Sequence, residues 1–314
     1  MLEAAPHSSP GTFVDEQKPF ALAPLYHGGR CTLQYSTKPE AILVAIDDYR
    51  SSGIFVVPTH LQRLFAAPDE VREQYRGRHS LRTIISNAAA LAPALKCEAV
   101  EYFGEGLLHE TYGSTEGGIV TNIRADDLLA KQRSVGGPFL GMEIELRRED
   151  GTIADIGEPA ESFCRGPYSF NGYLNRPDET AQTMIDGWVT VGDLAIRDED
   201  GDITITDRKK DMVVIGGMNV YPREIEMVLE QTDGFRECAV VGEPSTELGE
   251  ALHAFIETER GADVSTETLM EACRQSLADY EVPKKVTFLV TLPRGATGKL
   301  MKRDLRVLAT GAEH

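Results

Sequence analysis

Over residues 20–133, some apolar residues have the spacing of an amphipathic helix and others form short continuous runs typical of buried strands. The order of these two patterns along the chain predicts the fold of this part. "PEAILVAIDDYRSSG" has the spacing of an amphipathic helix, which we expect to end at Gly53. "IFVVP" and "LRTIIS" are short apolar runs that predict buried strands, and "EGLLHETYG" predicts a strand that enters a turn. Strands that alternate with helices favour an α/β subdomain with a mainly parallel sheet.

The pattern changes over residues 134–206, where short strands are separated by acidic turns that contain glycine. "GMEIELRREDGTIAD" and "DLAIRDEDGDITITD" each predict a hairpin, so we expect a small antiparallel, β-barrel-like subdomain. The stretch "DEDGD" at 198–202 could instead be a calcium loop. An EF-hand would need Gly where Ile203 stands and Glu at its twelfth position, so we favour the hairpin.

Residues 207–314 mix the two patterns and predict a separate α+β domain of about 100 residues, the size of a small domain. "YPREIEMVLEQT" and "STETLMEACRQSLADY" predict amphipathic helices, and "ECAVV", "LHAFIE" and "KVTFLV" predict strands. The basic stretch "RGATGKLMKRDLRVL" follows. Residues 1–19, rich in Pro, Ser and Gly, are expected to be a loose tail. The fold class is therefore α/β and α+β, multidomain.

Composition and charge narrow the possible partners. The 314 residues suffice for more than one domain, and the 41% hydrophobic and 26% charged fractions are typical of globular proteins. The formal net charge of −18 disfavours nucleic acid and anionic membranes, although a few local basic residues can still bind a small anion. Five scattered Cys without a C-x-x-C pair favour reduced thiols in the cytoplasm. We expect no signal peptide and no membrane span.

"YGSTEGG" at 112–118 is the first of three segments that suit nucleotide chemistry. The hydroxyls of Ser114 and Thr115 can bind phosphate oxygens, and Glu116 can hold a hard cation such as Mg²⁺. The glycines allow close approach of the backbone to a ligand. On its own, the segment could also be a tight surface turn.

The second segment, 186–226, places Asp193 after a Gly at the end of an apolar strand, where it could bind a sugar diol or simply terminate a turn. "DRKKD" could be a hinge whose basic residues meet a phosphate, or a solvated linker. The glycines of "GGMNVYP" suit either a thin ligand or a plain turn. In the third segment, "PRGATGKL", Lys299 could neutralise a developing phosphate charge or be a surface lysine.

Together these segments, in this order, resemble the adenylate-forming (AMP-binding) superfamily, and "DMVVIGGMNVYPREIE" most resembles its acyl-CoA synthetase branch. The resemblance runs from "PLYHGG" to "LMKRDLR". It implies a ligase that joins a carboxylic acid to AMP with ATP and Mg²⁺ and then transfers the acyl group to coenzyme A. It also implies that 20–206 is part of an N-terminal AMP-binding domain and that 207–314 is a mobile lid.

The resemblance assigns roles to individual residues. Catalytic roles are implied for Lys299, Thr115 and Glu116, the last as the metal ligand. The nucleotide would be bound by Ala88, Ala89, Ala90, Tyr112, Gly113, Ser114, Asp193 and Arg208. Lys210 matches the hinge, Gly216 and Gly217 would line the CoA tunnel, and His27 would border the acyl pocket.

The chain departs from the family pattern at its start. Family members carry a Ser/Thr/Gly-rich phosphate loop that ends in Pro-Lys-Gly before the segment that matches "PLYHGG", and "HSSPGT" lacks that lysine and spacing. Asn87 also stands where Gly is common. The chain could be a truncated synthetase, one half of an enzyme completed by a second chain, or a non-catalytic relative that binds a nucleotide or acyl-adenylate. We expect a truncated synthetase.

Overall fold

The predicted apolar runs form the three central strands of a seven-stranded sheet. Its strands are β1 (Ala4–Pro6), β2 (Thr32–Gln34), β3 (Gly53–Val56), β4 (Thr83–Ser86), β5 (Leu108–Ser114), β6 (Gly118–Ile123) and β7 (Gly137–Pro138). Their order is β2-β1-β3-β4-β5-β6-β7; β1 to β5 are parallel to one another, β6 is antiparallel to β5, and β7 is antiparallel to β6. The structure, a computed structural model, describes residues 4–6, 24–34, 36–232, 234–258, 262, 264–295 and 300–310.

The helices that accompany this sheet in the described part of the chain include α1 (Pro39–Asp48), α2 (Pro58–Phe65), α3 (Asp69–Tyr75) and α4 (Pro93–Phe103). The main core joins Ile54 and Val56 of β3 to apolar residues of α1, α2 and α4, whereas Phe55 packs in a separate small cluster. This alternation follows from the two-residue period of a strand and leaves β3 buried along its whole length. The parallel pairing of β1 to β5 confirms the predicted, mainly parallel sheet.

Two expectations in this region are corrected. The helix predicted to end at Gly53 ends at Asp48, because Arg50 adopts a positive φ of 48° and Gly53 already begins β3. The tail expected to be loose over residues 1–19 contains β1, which pairs in parallel with β2 and β3. Its backbone hydrogen bonds to neighbouring strands explain the difference, and the remaining residues of 1–19 lie outside the described part.

The second sheet has six strands: β8 (Glu143–Arg147), β9 (Ala160–Arg165), β10 (Met184–Ile185), β11 (Trp188–Val189), β12 (Asp193–Arg197) and β13 (Ile203–Arg208), with helix α5 (Pro177–Thr183) before β10. The order β10-β11-β9-β12-β13, with β8 paired to β9, is an open path and not a closed barrel. Two of these strands have only two residues, too little length for the staggered pairing that closure needs.

Of the two hairpins predicted here, one forms as expected. "DLAIRDEDGDITITD" becomes β12 and β13, whereas β8 has β9 as its main partner and returns to "GTIAD" only through the bridge between Arg147 and Ile153. The aspartates of "DEDGD" bind a lysine of the same unit: Lys131 Nζ lies 2.7–3.0 Å from Asp198, Asp200 and Asp202. The predicted hairpin is confirmed.

The third sheet comprises β14 (Val213–Ile215), β15 (Met218–Val220), β16 (Phe235–Ser245), β17 (Gly249–Thr258) and β18 (Lys285–Phe288). Its helices are α6 (Pro222–Leu229), α7 (Thr266–Ser276) and α8 (Lys302–Thr310), with a 3₁₀ turn at Asp279–Glu281. Successive β17 residues belong to different cores: Ala254 and Ile256 pack in one, and Phe255 packs with Leu305 of α8 in the other. This is the predicted α+β domain.

The described chain divides into two compact units, one of residues up to 191 with 195–205 and the other of residues 192–194 with 206 onward. This division falls one residue from the border that the sequence predicts between 206 and 207. The further border at 133/134 stays a prediction, since β7, at Gly137–Pro138, still belongs to the first sheet. None of the helices in the described ranges has both the length and the apolar character that crossing a bilayer requires.

Candidate functional site

The "YGSTEGG" segment forms the turn between β5 and β6, and its glycines are required by close packing. A Cβ on Gly113 would lie 2.0 Å from the carbonyl oxygen of Gly118. Gly118 has φ +71°, and a Cβ there would lie 2.7 Å from Cβ of Tyr168. Ser114 Oγ accepts a hydrogen bond from the Gly117 N–H at 2.8 Å and closes the turn. The turn therefore has one defined conformation.

Glu116 is held in place from two directions. Its carbonyl oxygen accepts the N–H of Phe170 at 2.8 Å, and its Oε1 accepts the hydroxyl of Tyr173 at 2.6 Å. Burial and the hydrogen bond to Glu116 raise the pKa of Tyr173, so the phenol stays protonated as the donor. Tyr173 is in turn held through its N–H, which donates to Thr180 Oγ1. The Glu116 carboxylate thus has a fixed direction.

The donor set of this turn fits a hard cation and phosphate oxygens. With Oε1 engaged by Tyr173, Oε2 of Glu116 offers a carboxylate oxygen, the ligand that Mg²⁺ prefers. Thr115 is exposed at the tip of the turn, and Ser114 is half-buried beside it. The residues predicted to bind phosphate and metal are therefore adjacent and accessible.

The three alanines predicted to line the adenine side lie next to this hairpin. Ala88, Ala89 and Ala90 are exposed, while Asn87 and Leu91 on either side of them are buried. Asn87 Nδ2 donates to Thr111 Oγ1 at 2.7 Å, so the start of the segment is bound to β5. Ala88 has φ +75°, and its N–H donates to Oδ1 of Asn87. The Asn87 side chain therefore holds Ala88, whose positive φ is uncommon for a residue other than glycine.

A buried ion pair fixes the other end of the alanine segment. Glu110 Oε1 accepts the N–H of Leu91 at 2.8 Å, and Glu110 Oε2 lies 2.6 Å from Lys96 Nζ. Lys96 Nζ also donates to the carbonyl of Gln132 at 2.7 Å. The side chains of Lys96 and Glu110 are 1% and 3% exposed. Burial raises the pKa of Glu110, and the lysine acts against that rise.

His27, predicted to border an acyl pocket, is exposed, and its ring meets the edge of the Tyr26 ring at 5.3 Å. Its role stays a prediction.

In the second unit, the predicted sugar-binding pair is already bonded. Arg208 Nε donates to Asp193 Oδ1 at 2.9 Å, and Asp193 is largely buried. The neighbouring Asp207 accepts the N–H groups of Arg208 and Arg223 at 2.7 and 2.9 Å, and burial raises its pKa. Asp193 and Arg208 are thus brought together, each directing the polar group of the other, and their roles toward a nucleotide stay predictions.

The glycine pair 216–217 forms the two-residue turn between β14 and β15. Both have positive φ, +57° and +85°, and Ile215 pairs with Met218 across them. A type I′ hairpin turn needs positive φ at both central positions, so the turn alone accounts for the two glycines. Their role toward coenzyme A stays a prediction.

The predicted hinge residue Lys210 is exposed, and its carbonyl lies near the C-terminal helix. Arg306 of α8 donates to that carbonyl at 3.4 Å and to Asp211 Oδ1 at 2.6 Å. Lys299, the predicted catalytic lysine, lies outside the described residues. Its role and the role of Lys210 stay predictions.

The sequence interpretation missed three residues that contact or support the candidate site: Tyr173, Lys96 and Glu110. A signal for Lys96 existed, since Lys96, Ala99 and Phe103 have the spacing of one helix face, and that face is buried. A lysine on an apolar stripe predicts a buried partner. No comparable signal exists for Tyr173, because it lies 57 residues from Glu116.

The comparisons with known proteins identify the family of this chain. The family model described as "AMP-binding enzyme" matches residues 9–174, and "AMP-binding enzyme C-terminal domain" matches 224–299. The chain belongs to the AMP-binding enzyme family. The predicted membership of the adenylate-forming superfamily is confirmed.

Individual relatives of this AMP-binding enzyme include acyl-CoA ligases. A long-chain-fatty-acid–CoA ligase of Bacillus subtilis is 33% identical over 313 residues, which cover 95% of this chain and 55% of the relative. One from Yersinia pestis is 41% identical over 203 residues, 65% of this chain and 36% of the relative. The solved structure of the amide bond synthetase McbA from Marinactinospora thermotolerans is 30% identical with a TM-score of 0.90 and matches 98% of this chain and 63% of its own.

The chain thus spans between about a third and two thirds of the length of these relatives. The comparisons give no support to a second chain that would complete it.

Proposed function

We propose that this protein is an ATP-dependent acyl-CoA synthetase, an AMP-forming ligase of carboxylic acids with coenzyme A. The observation that carries the proposal is the accessible "YGSTEGG" turn, with Glu116 oriented by Tyr173, in a chain that both AMP-binding family models match. Fatty acids are the substrate class to test first, because long-chain-fatty-acid–CoA ligases are among the relatives. The acyl chain that fits best is left to that test.

The proposed reaction has two steps. A carboxylate oxygen attacks the α-phosphorus of ATP, the bond to the β-phosphate oxygen breaks, and pyrophosphate leaves with the acyl-adenylate formed. The sulfur of coenzyme A then attacks the acyl carbonyl, its proton is released, and AMP departs. Mg²⁺ on Glu116 would neutralise phosphate charge in the first step. Ser114 and Thr115 would donate hydroxyl hydrogen bonds to phosphate oxygens, and Tyr112 would stack on the adenine.

The remaining roles follow the family pattern. Asp193 would accept hydrogen bonds from the ribose hydroxyls, with Arg208 holding the carboxylate. Lys299 would bind the substrate carboxylate and the α-phosphate during adenylation. Lys210 would act as hinge, and the 216–217 turn would border the pantetheine of coenzyme A.

The test separates the two half-reactions. Pyrophosphate exchange into ATP, measured with fatty acids of increasing length, reports adenylation, and thioester formation from a supplied acyl-adenylate reports transfer. Lys299→Ala is expected to lower exchange by about 10²–10³-fold, the loss typical of one transition-state charge donor, and to largely spare transfer. Lys284→Ala, a change at an exposed lysine of the same unit, is the matched control and should leave both unchanged.

Equal loss of both half-reactions in Lys299→Ala would contradict the assignment of the lysine to adenylation. Binding of an acyl-adenylate analogue without any exchange would instead indicate a non-catalytic binding protein. Absence of both exchange and binding would overturn the proposal.

A further inference from the structure

The geometry around the alanine segment points to two residues that the chemistry above does not use. Ala88, Ala89 and Ala90 are exposed between two buried residues, Asn87 and Leu91. Both buried residues are bound by β5: Thr111 accepts from the Asn87 side chain, and Glu110 accepts from the Leu91 N–H. The segment is therefore anchored at both ends to consecutive residues of one strand.

The next residue on that strand is Tyr112, which begins the turn predicted to bind the nucleotide. Thr111 and Glu110 thus connect the alanine segment directly to the backbone that carries Tyr112, Ser114 and Glu116. Two walls of the proposed adenine site are linked by hydrogen bonds of 2.7 and 2.8 Å.

The burial of two charged side chains, Lys96 and Glu110, at the Leu91 end of the segment has to be explained. A buried ion pair often adds little net stability compared with apolar side chains of similar volume, because both charges lose their hydration. Glu110 uses its carboxylate in a way an apolar side chain cannot: one oxygen holds the Leu91 N–H and the other meets Lys96. Lys96 is itself fixed by the Gln132 carbonyl, so the carboxylate has a single orientation.

We propose that Glu110 and Lys96 are positioning residues that fix the Ala88–Ala90 segment relative to Tyr112 in the nucleotide site. Glu110 acts on the segment through the Leu91 N–H, and Lys96 acts by neutralising and orienting Glu110. The proposal rests on the proposed function, because it takes these alanines and Tyr112 as the adenine-binding walls.

Two charge-neutral double variants separate positioning from simple stability. Lys96→Met with Glu110→Gln removes both charges but keeps an acceptor for the Leu91 N–H. Lys96→Met with Glu110→Leu removes the acceptor as well. Both are compared at a temperature at which circular dichroism shows each fully folded. Hydrogen exchange is measured without ligand, and binding of a sulfamoyl analogue of a fatty acyl-adenylate is measured by calorimetry.

The Gln variant is expected to keep slow exchange of the Leu91 amide and to bind the analogue within about threefold of the parent chain. The Leu variant is expected to lose protection at Leu91 and bind about tenfold more weakly, as an unpaired buried N–H implies. Amides of β3 should stay protected in both variants, because the change is local.

Equal binding and equal Leu91 protection in the two variants would overturn the proposal, as would a loss of protection that spreads to β3. Asn87→Ala tests the other anchor with the ion pair intact and should also weaken binding; an unchanged affinity there contradicts the two-anchor geometry. If the parent chain binds no analogue, the proposed function fails, and the exchange measurement still decides whether Glu110 positions the segment.

Discussion

Two buried glutamates, one in each unit, have matching local surroundings. Glu110 in the first unit accepts the Leu91 N–H and meets Lys96 at 2.6 Å. Glu226 in the second unit accepts the Val240 N–H at 2.9 Å and meets Lys302 at 2.7 Å. Each carboxylate therefore fixes a backbone amide and is neutralised by a lysine.

The two sites differ in how many other charges surround the glutamate. Glu226 has a second cation, Arg223, at 3.5 Å, and Arg223 also binds Glu230. Burial acts to lower the pKa of Lys302, but Glu226 and Asp207 outweigh it, so that pKa is raised. The second unit thus distributes charge over a network, whereas Glu110 is paired with Lys96 alone among the described ion pairs.

This difference indicates different uses of a buried carboxylate. A network can lose one member and still balance the rest, which suits a structural junction. An isolated pair has no other cation to take over. Loss of Lys96 would therefore leave the buried Glu110 carboxylate without its counter-charge. The Glu110 carboxylate would then no longer be held in the direction in which it accepts the Leu91 N–H, and the Ala88–Ala90 segment would lose that anchor.

The largest predicted effect is from Lys96→Met. Removal of one partner leaves Glu110 buried and uncompensated, and we expect the free energy of unfolding to fall by about 3–5 kcal/mol. Chemical denaturation monitored by circular dichroism measures the change. The loss of protection in hydrogen exchange should begin at the Leu91 amide.

Lys131→Met is the control for this prediction. Lys131 meets three carboxylates, more than Lys96 does, but these contacts lie in a solvent-accessible loop. We expect little change in Tm, because solvent weakens exposed ion pairs. A loss as large as that of Lys96→Met would show that contact number, and not burial, decides the effect.

A smaller effect is predicted for Lys302→Met in the second unit. Arg223 remains beside Glu226, and the Lys302 side chain is 18% exposed, so we expect a loss of about 1–2 kcal/mol. The Val240 amide should keep its protection in hydrogen exchange. Arg303→Met, at an exposed neighbour in the same helix, is the control and should change the unfolding free energy very little. If Lys302→Met is as damaging as Lys96→Met, the network does not redistribute charge.

The sequence was sufficient for the features that depend on local pattern. The strands β3, β4 and β5, the helix at Pro222–Leu229 and the turn after Tyr112 all follow from apolar spacing and glycine placement over a few residues. Whether the second sheet is open or closed could not be predicted, because it depends on pairing between distant strands, which no short window contains. Where the chain resembles a family, the resemblance supplied residue roles that pattern alone does not give.

The supporting contacts of the site could not be predicted in the same way. Whether Tyr173 reaches Glu116 depends on the path of 170–173 beside the turn, and whether Lys96 finds Glu110 depends on how α4 packs on β5. These are tertiary contacts between segments that are individually unremarkable in composition. The lysine on an apolar helix face was the one local sign, and it indicated burial without naming the partner.

The last prediction uses pH to distinguish the two glutamates. Burial raises the pKa of Glu110 in the folded chain, with Lys96 opposing the rise, so Lys96→Met should raise that pKa further. Between the ordinary value of 4.5 and the raised value, the folded state binds more protons than the unfolded state, so acid favours folding there. The deficit of Lys96→Met relative to the parent chain should therefore shrink as the pH is lowered from 8 toward 5. Lys302→Met keeps Arg223 beside Glu226 but removes the cation that opposes the raised pKa of Asp207, so its deficit should shrink less over that range. Denaturation curves of the three proteins at both pH values measure this, and a deficit of Lys96→Met that is constant or grows in acid would contradict an uncompensated Glu110 charge as its cause.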